Sequence, residues 1–84
     1  MIKEKIIKNI CYTELVYNRI NKKLNSKLSK KEIESYILKT LKKTDLMFFE
    51  KKGKNYYVTN SEGNIRITVN SNTFSVITVN RIVK

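Results

Sequence analysis

Two hydrophobic periods divide the chain, and they change over near residue 45. Before that point the spacing is helical. Ile6, Ile10, Tyr17, Ile20 and Leu24 fall close to one stripe, which Leu15 and Val16 widen. This predicts a first helix over about 2–24, with a break near Thr13 left open. Asn25 and Ser26 interrupt the pattern. Ser29 followed by Glu32 is then a capping box, in which the hydroxyl accepts one orphan amide and the carboxylate takes another. It opens a second helix over about 30–43, with Ile33, Tyr36, Ile37 and Leu41 as its buried stripe. Lys39, Lys42 and Lys43 come late in that helix, where the macrodipole favours cations.

After residue 45 the period becomes two. "LMFFE" is a short apolar run, "KKGK" a turn around Gly53, "NYYVTN" a strand and "SEG" a turn around Gly63. In "IRITVNSNTFSVITV" Ile65, Ile67 and Val69 take one face, and Arg66, Thr68 and Asn70 the other. A turn at Ser71 and Asn72 would pair Val69 with Phe74 and Ile67 with Val76, and set Asn70 against Thr73 and Thr68 against Ser75. Beyond Val76 the phase slips. A bulge near 76–77 restores it and puts Thr78 beside Arg66. The expected fold is α+β, with two N-terminal helices packed on one face of a three- to four-stranded antiparallel sheet. Residues 1–84 read as a single domain, helical over 1–45 and sheet over 46–84, with Ile33, Ile37, Leu41, Ile67, Val69, Phe74 and Val76 sharing its core.

Length and composition narrow the chemistry. Eighty-four residues bury only a modest core. No apolar run nears the ~20 residues of a membrane span, and "MIKEKIIKNI" is too interrupted by charge for a secretory signal. A cytoplasmic protein without a membrane partner is expected. A lone Cys11 excludes an internal disulfide and is expected as a small core residue. With no histidine, a zinc site lacks its ordinary ligands. No metal or cofactor is expected.

Eighteen Lys and Arg against seven Asp and Glu leave a net charge of +11. The abundance of Lys, Asn and Ile matches AT-rich codon usage, but that bias would also supply glutamate, and acids are scarce. The charge is spread along the chain, at +7 over residues 1–45 and +4 over 46–84, so it is no detachable tail. Such a field attracts polyanions, and nucleic acid is the expected partner, RNA ahead of DNA.

The helices can cover only one sheet face. The other is expected to carry Arg66, Thr68, Asn70, Thr73, Ser75 and Thr78, with Lys54 and a tyrosine at its margin. Arg and Lys beside hydroxyls suit phosphate and sugar contacts, and Tyr56 or Tyr57 suits base stacking. Hydrolysis at a metal lacks ligands, nucleophilic triads lack a histidine, and no Gly-rich phosphate loop is present. RNA cleavage by the 2′-hydroxyl remains, with Arg and Lys stabilising phosphorane charge and Tyr or Lys moving protons.

"NICYTELVYNRINKKL", "KKGKNYYVTN" and "IRITVNSNTFSVITVNRI" resemble a small bacterial domain family of unknown function, common in Firmicutes. The sheet half also resembles the ribonuclease-toxin superfamily of RelE, barnase-like and colicin-type domains. That resemblance implies helices on one sheet face and catalytic side chains on the other. Carried over by position, it nominates Arg66, Lys54, Tyr57 and Thr78 for catalysis and, with the neighbouring basic residues, Lys51, Lys52, Asn70, Thr73 and Arg81 for nucleic-acid binding. The absence of histidine departs from the colicin-type and barnase-like patterns. Three readings stay open: a metal-independent RNA-cleaving toxin with a cognate acidic antitoxin, a non-catalytic nucleic-acid binder, and a phage or mobile-element inhibitor of a host enzyme.

Overall fold

The helical signals of the first half are realised in three pieces: α1 (Ile2–Asn9), α2 (Glu14–Leu24) and α3 (Lys30–Lys43). They come from a computed structural model that describes residues 2–82. The break left open at Thr13 occupies residues 10–13, and its cause lies far away in sequence. Cys11 leaves the helix to bridge Ser75 in parallel: its N–H donates to the Phe74 carbonyl at 3.0 Å, and its carbonyl accepts from the Val76 N–H at 3.0 Å. A backbone committed to that bridge cannot continue a helical ladder. Cys11 is therefore exposed rather than part of the core, because its backbone does the docking.

The capping box forms as the sequence requires. Ser29 Oγ accepts from the Glu32 N–H at 3.2 Å, Glu32 Oε1 accepts from the Ser29 N–H at 2.9 Å, and α3 begins at Lys30. Its far end is closed from outside: Lys3 Nζ donates to the carbonyls of Lys42 at 2.9 Å and Thr44 at 2.7 Å, putting a cation on the negative end of the dipole. Between α2 and α3, Asn25 turns left-handed at φ 52°. Asn21 ties down the loop that follows, accepting from Leu28 N–H and Ser26 Oγ at 2.9 Å each. Tyr17 braces the two helices by donating to Glu34 at 2.7 Å, and burial followed by that carboxylate pushes its phenol up to about 12.

A short 3-10 turn, Leu46–Phe48, leads into β1 (Phe49–Lys52), β2 (Asn55–Asn60), β3 (Ile65–Asn70) and β4 (Val76–Arg81). The four strands form an antiparallel meander in chain order. Alternation sends Tyr56, Val58, Ile65, Ile67, Val69 and Val79 to the helix side, where they make one cluster with Ile6, Val16, Ile20, Leu24, Ile33, Ile37 and Leu41. This is the α+β arrangement expected from the two periods. Of the seven residues expected to share one core, Phe74 stays half-buried, packing on the margin and stacking on Tyr56 at 6.4 Å, and Tyr36, expected on the buried stripe of α3, is half-buried as well.

The last hairpin departs from the expected register. Val69 pairs with Val76 and Ile67 with Val79, not with Phe74 and Val76, and Thr78 faces Thr68 while Asn80 faces Arg66. The reason is Asn70. Its Oδ1 accepts from the N–H groups of Asn72 at 2.8 Å and Thr73 at 3.0 Å, and its carbonyl accepts from Phe74 N–H at 2.9 Å. That widens a two-residue turn into a longer loop. The ladder then resumes at Val76 with Ile77 as the extra bulge residue, near the position expected.

One polar network is carried under the sheet. Thr44 Oγ1 donates to the Thr40 carbonyl at 2.6 Å, Asn60 Nδ2 donates to Thr44 Oγ1 at 2.8 Å, and Asn60 Oδ1 accepts from Gly63 N–H at 2.7 Å. This joins the end of α3 to the β2–β3 turn. The β4 edge is guarded by α2 beside it, with Arg19 Nη1 donating to the exposed-side carbonyl of Ile77 at 3.3 Å.

Candidate nucleic-acid interface

Register fixes which side chains share the face away from the helices. Glu50, Tyr57, Thr68 and Thr78 make one row across the four strands, and Thr59, Arg66 and Asn80 make the next. Lys52, Asn55 and Asn70 form a third row toward the other end. Arg66 is exposed and donates Nε to Thr59 Oγ1 at 3.3 Å. Among the described residues it forms no ion pair, so its remaining guanidinium donors face outward. Glu50 is taken instead by Lys52, at 3.5 Å. These two, with Tyr57, Thr59 and Arg66, line a shallow depression of about 220 Å³. With the Glu50 carboxylate offset by Lys52, the hollow still offers a fork of N–H donors, a hydroxyl and an aromatic ring, which can hold a phosphate and a neighbouring base or sugar.

The other nominated residues scatter. Thr78 lies on the outer face, but its hydroxyl is enclosed and finds no protein partner among the described residues. Thr68 beside it is only 5 % exposed. Lys54 sits in the β1–β2 turn, where its carbonyl accepts from Ser71 N–H at 2.8 Å. Asn70 is occupied by its own loop. Thr73 is exposed in that loop and shares a 2.8 Å hydroxyl contact with Ser75. It is more than four residues of strand from Arg66, about 13 Å or more. Lys51 and Arg81 belong to the helix-side face by alternation, Lys51 opposite Tyr56 and Arg81 opposite Ile65. Arg81 Nη2 donates to the Leu24 carbonyl at 2.6 Å, closing the end of α2.

Two neighbours of Arg66 escaped the sequence reading: Thr59, its hydrogen-bond partner, and Glu50, which lines the same depression. Strand parity was the available signal, since Glu50 opposite Tyr57 and Thr59 opposite Arg66 follow once the "KKGK" and "SEG" turns are placed. Among the described residues no cluster of His, Cys, Asp or Glu has a metal-binding arrangement, and no helix is long and apolar enough to cross a membrane. No curated protein and no solved structure matches the chain. A family model described as "Protein of unknown function (DUF3781)" matches residues 4–80, nearly the whole chain, which therefore belongs to the DUF3781 family.

Proposed function

We propose that the protein is a small basic, RNA-directed protein of toxin type that grips RNA on the outer sheet face around Arg66. The observation that carries this reading is an exposed arginine in the middle of a sheet, without an ion pair among the described residues, sharing one depression with Glu50, Lys52, Tyr57 and Thr59. In a chain of net charge +11 with three arginines, such a placement suits a phosphate. Arg66 takes the phosphate, Tyr57 stacks on a base, and Thr59 is in reach of a sugar hydroxyl. Metal-independent cleavage is the second reading. Of the four residues nominated for it, Arg66 and Tyr57 share the depression, with Lys52 standing where Lys54 was expected.

The test is binding of a labelled single-stranded RNA, followed by inspection of that RNA for fragments. Arg66→Ala is expected to lower affinity at least about 10-fold while stability stays within about 0.5–1 kcal/mol, as for a surface position. Fragments that vanish in the variant support the toxin nuclease, and intact RNA with tight binding supports a non-catalytic binder. Induced expression in a bacterium, with growth and RNA integrity compared between the wild type and Arg66→Ala, gives the cellular counterpart. Equal RNA binding by both proteins would defeat the reading.

A further inference from the structure

The outer sheet face holds a minor share of the charge; residues 1–45 carry +7. Part of that charge surrounds Tyr36. Three adjoining depressions, of about 530, 430 and 300 Å³, all have Tyr36 in their walls, and they meet one another through Leu28, Lys39 and Gly63. Together they ring a half-buried aromatic side chain with four cations: Lys31, Lys39 and Lys43 from α3, and Arg81 from β4. Two acids share the region. One of them, Glu32, is committed to the Ser29 amide, which leaves Glu62 as the only opposing carboxylate without such a bond among the described residues.

We propose that this groove along α3 binds a single strand of nucleic acid, with a base on Tyr36 and successive phosphates at Arg81, Lys31, Lys39 and Lys43. The inference stands on the groove alone and does not require the sheet face to bind RNA. Lys42 and Lys43 are accounted for by the dipole at the end of α3, but Lys31 is not. It lies in the first turn, where the dipole opposes a cation, and it has no ion pair among the described residues. Lys30 in the same turn differs, because it pairs with Glu14 at 2.8 Å. Arg81 is preorganised: its bond to the Leu24 carbonyl holds the guanidinium against the wall of the depression of about 530 Å³, leaving its other N–H groups without a partner among the described residues. From Lys31 to Lys43 the helix rises about 18 Å, the reach of a few nucleotides. The half-buried ring favours an unpaired base over a duplex, because stacking needs an open π-face.

The experiment uses fluorescein-labelled oligouridine and oligothymidine, read by anisotropy over a salt series, with thermal melts as the folding control. In Lys31→Glu/Lys39→Glu the affinity is expected to fall at least about 10-fold, and the log–log salt slope by about 1.4, two contacts at roughly 0.7 each for a single strand. Tyr36→Leu keeps apolar volume under the groove and is expected to lower affinity roughly 5-fold or more at an unchanged slope, because only stacking is removed. Equal losses on both oligomers assign the groove to phosphate and base; losses confined to oligouridine assign it to RNA. Wild-type binding and slope in the lysine double variant would overturn the groove. If Arg66→Ala alone loses binding, the sheet face is the site and the groove is not; if only the groove variants lose it, the groove stands and the sheet reading falls.

Discussion

Phe74 holds φ at 60°, a left-handed conformation that costs a residue with a Cβ roughly 1–2 kcal/mol. It is retained because its ring packs on Tyr56 while Lys5 Nζ lies 5.9 Å from its centroid. A fully buried phenylalanine would lose about 3–5 kcal/mol on truncation; Phe74, half-buried on a loop, should lose nearer 1–2 kcal/mol on replacement by alanine. Phe74→Gly should melt above Phe74→Ala, reversing the usual order, because glycine releases the left-handed strain that alanine keeps. The apolar character of Phe74 was plain in the sequence, but its backbone was not, since nothing local distinguishes it from the strand residue expected to pair with Val69. Thr78 gives a second residue-scale test. Its enclosed hydroxyl lacks a protein partner among the described residues, so Thr78→Val, equal in shape, should leave the melting temperature unchanged or raised.

Among the elements, α3 was the most legible, because its start is written in two side chains that touch only their own turn. Ser29→Ala should cost about 1 kcal/mol by thermal or denaturant unfolding. The pH dependence follows from the same contact. Hydrogen bonds from the Ser29 backbone, then its side chain, hold the Glu32 carboxyl below its ordinary 4.5. A depressed folded-state value means stability present above the unfolded pKa and lost as pH falls through the folded one. Glu32→Gln should therefore make the acid-side decline in melting temperature shallower. The break after α1 and the last hairpin were less legible for a shared reason: both depend on partners distant in sequence or on a side chain replacing backbone. Cys11 needs Ser75 to stop the helix, and Asn70 must turn inward to widen its loop. Asn60 is a comparable hub. Asn60→Ala removes a donor from Thr44 and an acceptor from Gly63, and unfolding should show a loss of about 1–3 kcal/mol.

At the scale of the whole molecule, charge was countable from the sequence, but its division between faces was not fully drawn. Parity held that information: Thr78 and Arg81, three positions apart in one strand, take opposite faces, as do Lys51 and Lys52. Replacing Lys51, Lys52 and Lys54 together with alanine should therefore lower the salt slope of RNA binding at the sheet face by about 0.7, one contact rather than three, since only Lys52 lines the Arg66 depression. The Cys11–Ser75 bridge also bears on the order of assembly. α1, α2 and α3 are complete by residue 43, yet the strands that cover their apolar stripes run from 49 to 81, and the segment that separates α1 from α2 waits for Ser75. A chain emerging from the ribosome thus carries its helical segments before the strands that cover their inner faces, and β4, the last of them, completes the core. Joining residues so far apart costs loop entropy before contacts repay it, so docking of α1 belongs to the late steps of folding. During synthesis, Ile6, Ile20 and Ile33 emerge before the strands that bury them, which leaves apolar surface open in the incomplete chain.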